Sequence, residues 1–231
     1  DIGTAKPDAA TLASVPHHLI NLIDPTERYS AAQFRHDALN AMHQITKRGK
    51  TPLLVGGTML YYRALFDGLS ALPAADEAVR MQIDEEARNL GWPAMHMKLN
   101  TLDPITAVSL QPTDSQRIQR ALEVCYLANK PMSALLDQPN NADFPFQTIN
   151  IALIPNDRKT LHQRIAKRFD AMLNAGLITE VQSIREQFSV NIDTPAMRCV
   201  GYRQVLMFLN NEIKQPEMRE MGIAATRQLA K

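Results

Sequence analysis

Cysteine is scarce: Cys125 and Cys199 are the only two in 231 residues. That excludes a disulfide framework, and with no CxxC pair or His/Cys cluster it excludes the usual zinc spacings. A thiol count this low fits a reducing cytoplasm. Long apolar runs are also missing, since no window approaches eighteen consecutive apolar residues, which excludes a membrane-spanning helix. Neither sign of charge is in excess, with 25 basic against 24 acidic residues and a net charge of +1. That balance neither requires nor excludes a nucleic-acid partner, because a phosphate-binding face can be local. There is no GxxxxGK[ST] P-loop. The six histidines are scattered without ligand spacing, and no nucleophile–base pair stands out. The sequence opens on Asp1 and not on Met, so a processed or partial chain is expected.

With only nine glycines in the chain, an adjacent pair is conspicuous. Thr51-Pro52-Leu53-Leu54-Val55-Gly56-Gly57-Thr58-Met59-Leu60-Tyr61-Tyr62 runs from an apolar stretch into Gly-Gly-Thr and then into helix-compatible sequence. This is the pattern of a buried parallel strand, a tight turn and a helix N-terminus. Glycines there let backbone N–H groups approach a ligand, and the helix dipole favours negative charge. Thr58 is placed to cap the helix or to offer its hydroxyl to a ligand. On these residues alone, a plain connection and an anion site stand equal.

Ser30-Ala31-Ala32-Gln33 reads as a capping box, followed by Phe34, Ala38, Met42 and Ile45 at helical spacing and by Gly49 as a stop. A strand over 52–55 and a helix over 58–67 follow, an order that indicates an α/β domain with a parallel sheet. From Leu72-Pro73 onward the pattern is helical for some seventy residues. Val79, Ile83, Ala87 and Leu90 stripe one helix; Asp103-Pro104 sets an N-cap and N1 proline for another; Ile118, Leu122, Cys125 and Tyr126 stripe a third. The polar run 137–145 reads as a linker. Strand character returns over 147–154, then a helix over 157–174 with Leu161, Ile165, Phe169 and Leu173 as its apolar stripe. The simplest organisation is an α/β core (1–72 and 141–231) interrupted by an all-helical insertion (73–140).

Three constellations can carry chemistry. Arg164 and Arg168 lie four apart and share a helix face, an arrangement that matches a pyrophosphate bidentately, although on these residues alone a solvated helix face is the favoured reading. Gln116, Arg117, Ile118, Gln119 and Arg120 mix guanidinium and amide groups on one helix, suited to nucleic-acid backbone and base edges and equally to any exposed helix. Arg198, Cys199, Val200, Gly201, Tyr202 and Arg203 put cations, an aromatic and a glycine after Pro195. That is what an unstacked base requires, and also what an ordinary helix start with a tyrosine would show.

Ordered along the chain, these segments resemble the bacterial tRNA dimethylallyltransferases (tRNA isopentenyltransferases). The matches include Asp1-Ile2-Gly3-Thr4-Ala5-Lys6-Pro7, Leu54-Val55-Gly56-Gly57-Thr58, Gln116-Arg117, Arg120-Ala121-Leu122-Glu123-Val124, Leu161-His162-Gln163-Arg164-Ile165, the segment from Arg198 to Gln204, and Ala225-Thr226-Arg227-Gln228-Leu229-Ala230-Lys231. The resemblance implies a P-loop-kinase-like core with a parallel sheet, and a helical insertion gripping the anticodon stem-loop. It implies transfer of a dimethylallyl group from dimethylallyl diphosphate, with Mg²⁺, to N6 of the adenosine 3′ of the anticodon.

By the same resemblance, Arg168 contacts the diphosphate with Arg164 beside it, and Thr58 lines the channel to the flipped adenosine. Arg80, the segment from Gln116 to Arg120, the segment from Arg198 to Arg203, and Lys231 face the tRNA. Family members also carry a GPTxxGKT loop and an Asp-Ser segment whose aspartate is the general base. Neither has a counterpart here, so the resemblance implies that the chain as it stands is nearly or wholly inactive, a cytoplasmic monomer in its full-length form. The rival readings are a prenyltransferase of free adenine nucleotides or a P-loop kinase relative, and a non-catalytic RNA-binding fragment.

Overall fold

A computed structural model describes residues 1–70, 72–137 and 144–230. Lys231 and most of the expected linker lie outside the described residues. Among the described residues the regular structure is helical: α1 Ala9–Ser14, α2 Ala31–Lys47, α3 Met59–Phe66, α4 Glu77–Leu90, α5 Trp92–Leu102, α6 Pro104–Val108, α7 Ser115–Ala128, α8 Met132–Leu136, α9 Arg158–Asn174, α10 Leu177–Gln187, α11 Tyr202–Leu209 and α12 Gln215–Leu229, with a 3₁₀ turn at Pro195–Arg198 before α11. No helix among them is long and apolar enough to cross a membrane.

Several helix ends are set by short-range caps, those at Ser30 and Asp103 as the sequence leads one to expect. Ser30 and Gln33 form a reciprocal box: the Ser30 amide donates to Gln33 Oε1 (2.8 Å) and the Gln33 amide to Ser30 Oγ (3.2 Å). Asp76, Asp103 and Asp157 each accept an amide of their helix's first turn. Gly91 (φ 80°) ends α4 and lets α5 start at once, a backbone turn that a side chain would strain.

The chain forms two compact units, one of Asp1–Gln33, Asn40–Lys47 and Gln147–Lys231 and the other of Phe34–Leu39 and Arg48–Phe146. In the second unit Ile83, Ala87, Met95, Leu99, Ala107, Ile118, Ala121, Leu122 and Cys125 form one buried cluster, contributed by α4 to α7. In the first, Leu177, Val181, Met197, Tyr202, Val205, Leu206 and Met218 form a core, and Ile165, Phe169 and Ile223 a smaller one between α9 and α12.

That smaller cluster rests on a glycine. A Cβ at Gly222 would lie 2.2 Å from Phe169 Cζ, so α12 approaches the ring through a missing side chain. Gly222→Ala should gain helix propensity of about 1 kcal/mol. It should lose more by overpacking, about 1–3 kcal/mol, because the buried Phe169 ring would have to shift within the core to make room. Thermal denaturation should show a net loss, and a rise in melting temperature would contradict this packing.

The expected strands differ from the structure. Residues 52–55 and 147–154 form no strand among the described residues. Most of their apolar side chains are exposed, with Leu53 at 84%, Val55 at 82%, Ile149 at 92% and Leu153 at 92%. A strand exists only as part of a ladder, and neither segment has a neighbour there to exchange backbone hydrogen bonds with. The apolar pattern read as a buried strand is therefore present, and its burial is not.

Candidate functional site

Thr58 is the N-cap of α3, and its hydroxyl makes no capping bond to the helix. Its carbonyl accepts from the Tyr61 (2.9 Å) and Tyr62 (3.3 Å) amides, so the backbone is fixed while the exposed side chain is left open. Neither Gly56 nor Gly57 takes a positive φ. A Cβ on Gly57 would meet nothing within 4 Å, and one on Gly56 only Tyr62 Oη at 3.8 Å. The fold itself therefore does not demand glycine at either position, which favours the reading that something else approaches this backbone.

The basic face of α9 is as the spacing predicts. Ile165 and Phe169 are buried on one side, and Arg164 and Arg168, four residues apart, are exposed on the other. Neither guanidinium has an ion-pair or hydrogen-bond partner among the described residues. The helix beneath them is anchored: Arg219 of α12 grips Asp170 with two bonds, of 2.6 and 2.8 Å. That gives two unneutralised forks on a fixed helix, a donor set matched to a diphosphate.

On α7 the residues divide. Gln116 and Arg117 are exposed, Arg117 lying only 3.5 Å from Asp114 at its nearest approach. Ile118 is fully buried in the helical core, so it presents no surface to a ligand; the 3.6-residue repeat turns it inward between two outward neighbours. Gln119 donates to Asp84 Oδ1 at 2.6 Å. Arg80 and Arg120 both reach the fully buried Glu123. Burial alone would raise the Glu123 carboxyl, but bonds from the two arginines and the Asp76 amide outweigh it and hold it below its ordinary value.

The segment from Arg198 to Arg203 also divides. Arg198, Cys199 and Arg203 are exposed and Val200 is half-buried. Arg198 is only loosely paired, with Asp193 at 3.8 Å. Gly201 (φ 93°) is buried beside Met172, Leu177 and Phe169, in a backbone conformation that a side chain would strain. Tyr202, read as a candidate stacking platform, is 4% exposed. Its hydroxyl donates to Glu180 Oε1 at 2.9 Å, and Glu180 also accepts the Ile2 and Gly3 amides. The ring is a core element holding the start of α11, because the hydrogen-bond partner that draws it inward lies 22 residues upstream.

Sequence reasoning missed Glu123, Glu180 and the pair Asp170–Arg219. Glu123 did carry a signal, as a lone charge inside the apolar run Ala121-Leu122-Glu123-Val124-Cys125. Among the described residues no group of three or more His, Cys, Asp or Glu is placed to hold a metal ion.

Comparison with known proteins adds three findings. The family model described as IPP transferase matches residues 1–231. The tRNA dimethylallyltransferase of Nitrosomonas europaea is 64% identical over 231 residues, all of this chain and 73% of that protein, and the one of Nitrosospira multiformis is 58% identical, the chain covering 72% of it. Among solved structures, the full-length tRNA isopentenylpyrophosphate transferase from Bacillus halodurans is similar at a TM-score of 0.61 with 30% identity, over 100% of this chain and 71% of that one. A eukaryotic dimethylallyltransferase acting on tRNA gives 0.72 with 26% identity, over 99% and 57%.

Proposed function

The chain belongs to the IPP transferase family, and from that premise we propose that it serves prenyl transfer to tRNA, moving a dimethylallyl group from its diphosphate to N6 of the adenosine 3′ of the anticodon. The observation that carries the reading is the pair Arg164 and Arg168, exposed, without a partner among the described residues, and on one face of an anchored helix. In the reaction the adenine amine attacks the allylic carbon, the carbon–oxygen bond breaks, and the diphosphate leaves with the electron pair. Arg168, with Arg164 beside it, stabilises the charge growing on that leaving group. The amine gives up its proton as the bond forms, which a base must accept; no residue of this chain is assigned to that task. Mg²⁺ would neutralise part of the diphosphate charge, but the described side chains do not form a site that fits it, so none is assigned to the metal.

Thr58 offers its free hydroxyl to the incoming adenosine. Gln116 and Arg117 on α7, and Arg198 and Arg203 flanking the buried Tyr202, supply the exposed donors for the RNA backbone. Lys231, outside the described residues, is assigned to the RNA by resemblance alone. The two apolar segments, 52–55 and 147–154, are the strand positions of a parallel, P-loop-kinase-like sheet, and their runs of Leu, Val and Ile support that assignment. Division into a catalytic core (1–72 and 141–231) and an RNA-gripping helical insertion (73–140) is supported by the helices α4 to α8 falling within the latter.

Fluorescence anisotropy with an unmodified anticodon stem-loop tests the RNA half of this proposal. Binding should weaken linearly in log–log form with added salt, and Arg117→Gln should reduce the slope by about 0.7–0.9, the share of one neutralised phosphate. A chain that binds free adenine nucleotides and not the stem-loop would instead support the small-molecule reading.

A further inference from the structure

We infer that Glu123 is a positioning residue for RNA recognition, holding Arg80 of α4 and Arg120 of α7 as one preset cationic edge. This rests on the proposed tRNA-binding role of the helical unit. Glu123 has no exposed surface, yet its carboxyl is held below its ordinary value and accepts from three residues, two at the start of α4 and one on α7. The Asp76 amide donates to Oε1 at 2.9 Å, Arg80 Nε to Oε1 at 2.8 Å, Arg80 Nη2 to Oε2 at 3.2 Å, and Arg120 Nη1 to Oε2 at 2.5 Å. Arg120 then spends its other terminal nitrogen on the Pro73 carbonyl at 2.7 Å.

One carboxylate needs one guanidinium to be neutralised. Here it has two, so the cluster carries a surplus positive charge. Both side chains keep solvent access, 22% for Arg80 and 32% for Arg120, while the carboxylate between them has none. Among the described residues the bonds leave Arg80 Nη1 and Arg120 Nε uncommitted. A buried carboxylate without partners is unfavourable enough that the two arginines are held to it firmly. Long cationic side chains are thus ordered before any ligand arrives, and an anionic backbone binding them does not have to order them again. The same hub fixes Pro73 and Asp76, where the chain enters α4. Arg117, one turn before Arg120 on α7 and exposed, extends the line of charge.

The test is stem-loop binding at several salt concentrations by the intact chain, with folding checked by circular dichroism. Glu123→Gln keeps the shape and removes the charge that holds both arginines. It should weaken binding about tenfold or more and lower the salt slope further than Arg117→Gln does, because two cations are freed at once. Adding Arg80→Gln to it should change little further, because the Arg80 side chain is already disordered. Arg120→Lys keeps the charge but cannot span Glu123 and the Pro73 carbonyl at once, so it should also weaken binding. The inference is overturned if folded Glu123→Gln binds with unchanged affinity and slope, or, should that variant not fold, if Arg120→Lys binds like the wild type. If Arg117→Gln is silent as well, the RNA-binding reading of this unit fails with it; if Arg117→Gln weakens binding and the hub variants do not, only the positioning role fails.

Discussion

Arg168→Ala in the full-length protein is expected to lower single-turnover prenyl transfer by about 10²–10³-fold, the scale on which one preorganised donor to developing charge acts. The fold should not suffer, because the side chain is exposed and has no partner among the described residues, and α9 is held by Ile165, Phe169 and the Asp170–Arg219 pair. Arg168→Lys should recover part of the rate, keeping a charge while losing the bidentate fork. Arg164→Ala should cost less than Arg168→Ala if it assists from the neighbouring turn. The decisive comparison is rate against melting temperature. Unchanged transfer in a folded Arg168→Ala protein would remove the diphosphate role from this face of α9.

The second large effect is on stability. Asp103 is fully buried and carries four bonds: the Thr106 amide (3.1 Å) and hydroxyl (2.6 Å), and the Ser133 amide (2.8 Å) and hydroxyl (2.7 Å). It caps α6 and ties it to the start of α8. Asp103→Ala removes a cap worth about 1 kcal/mol. It also leaves buried donors unsatisfied at about 1–3 kcal/mol, so a total loss of about 2–4 kcal/mol in chemical denaturation is expected. Asp103→Asn should fall between, since its oxygen can still accept one amide while its NH₂ faces other donors.

The pH dependence follows from the same bonds. Burial alone would raise the Asp103 carboxyl, but the Thr106 and Ser133 donors outweigh it and keep it below its ordinary value. A carboxyl depressed in the folded state contributes stability that is present above its unfolded value, about 3.9, and is lost as pH falls through the folded value. Acidification below about pH 4 should therefore destabilise the wild type more steeply than Asp103→Ala. Equal acid sensitivity in the two would show that Asp103 does not carry this linkage. Glu123, depressed by Arg80 and Arg120, acts in the same direction.

Much of the local structure was legible because its causes are local. A cap acts across three residues: Ser30 with Gln33, Asp103 with Thr106 and Asp157 with Thr160 are all readable in a short window, and the helices begin where those residues place them. The opposed faces of α9 were readable for the same reason, since the repeat that buries Ile165 and Phe169 turns Arg164 and Arg168 outward.

The family, too, was determined by the sequence alone, because ordered matches along the whole chain need no coordinates to be seen. What only the tertiary structure decided is which polar groups are already spent. Arg80 and Arg120 read as free cations until Glu123, 43 and 3 residues away, is brought between them, and Tyr202 reads as a stacking ring until Glu180 takes its hydroxyl. The strands expected at 52–55 and 147–154 are not formed among the described residues for the matching reason: an apolar run specifies a tendency to be buried, and a ladder requires a neighbour that the run itself does not contain. Capping and helical periodicity are properties of a few consecutive residues. Burial, pairing and charge neutralisation belong to residues far apart in the chain, and only folding brings those together.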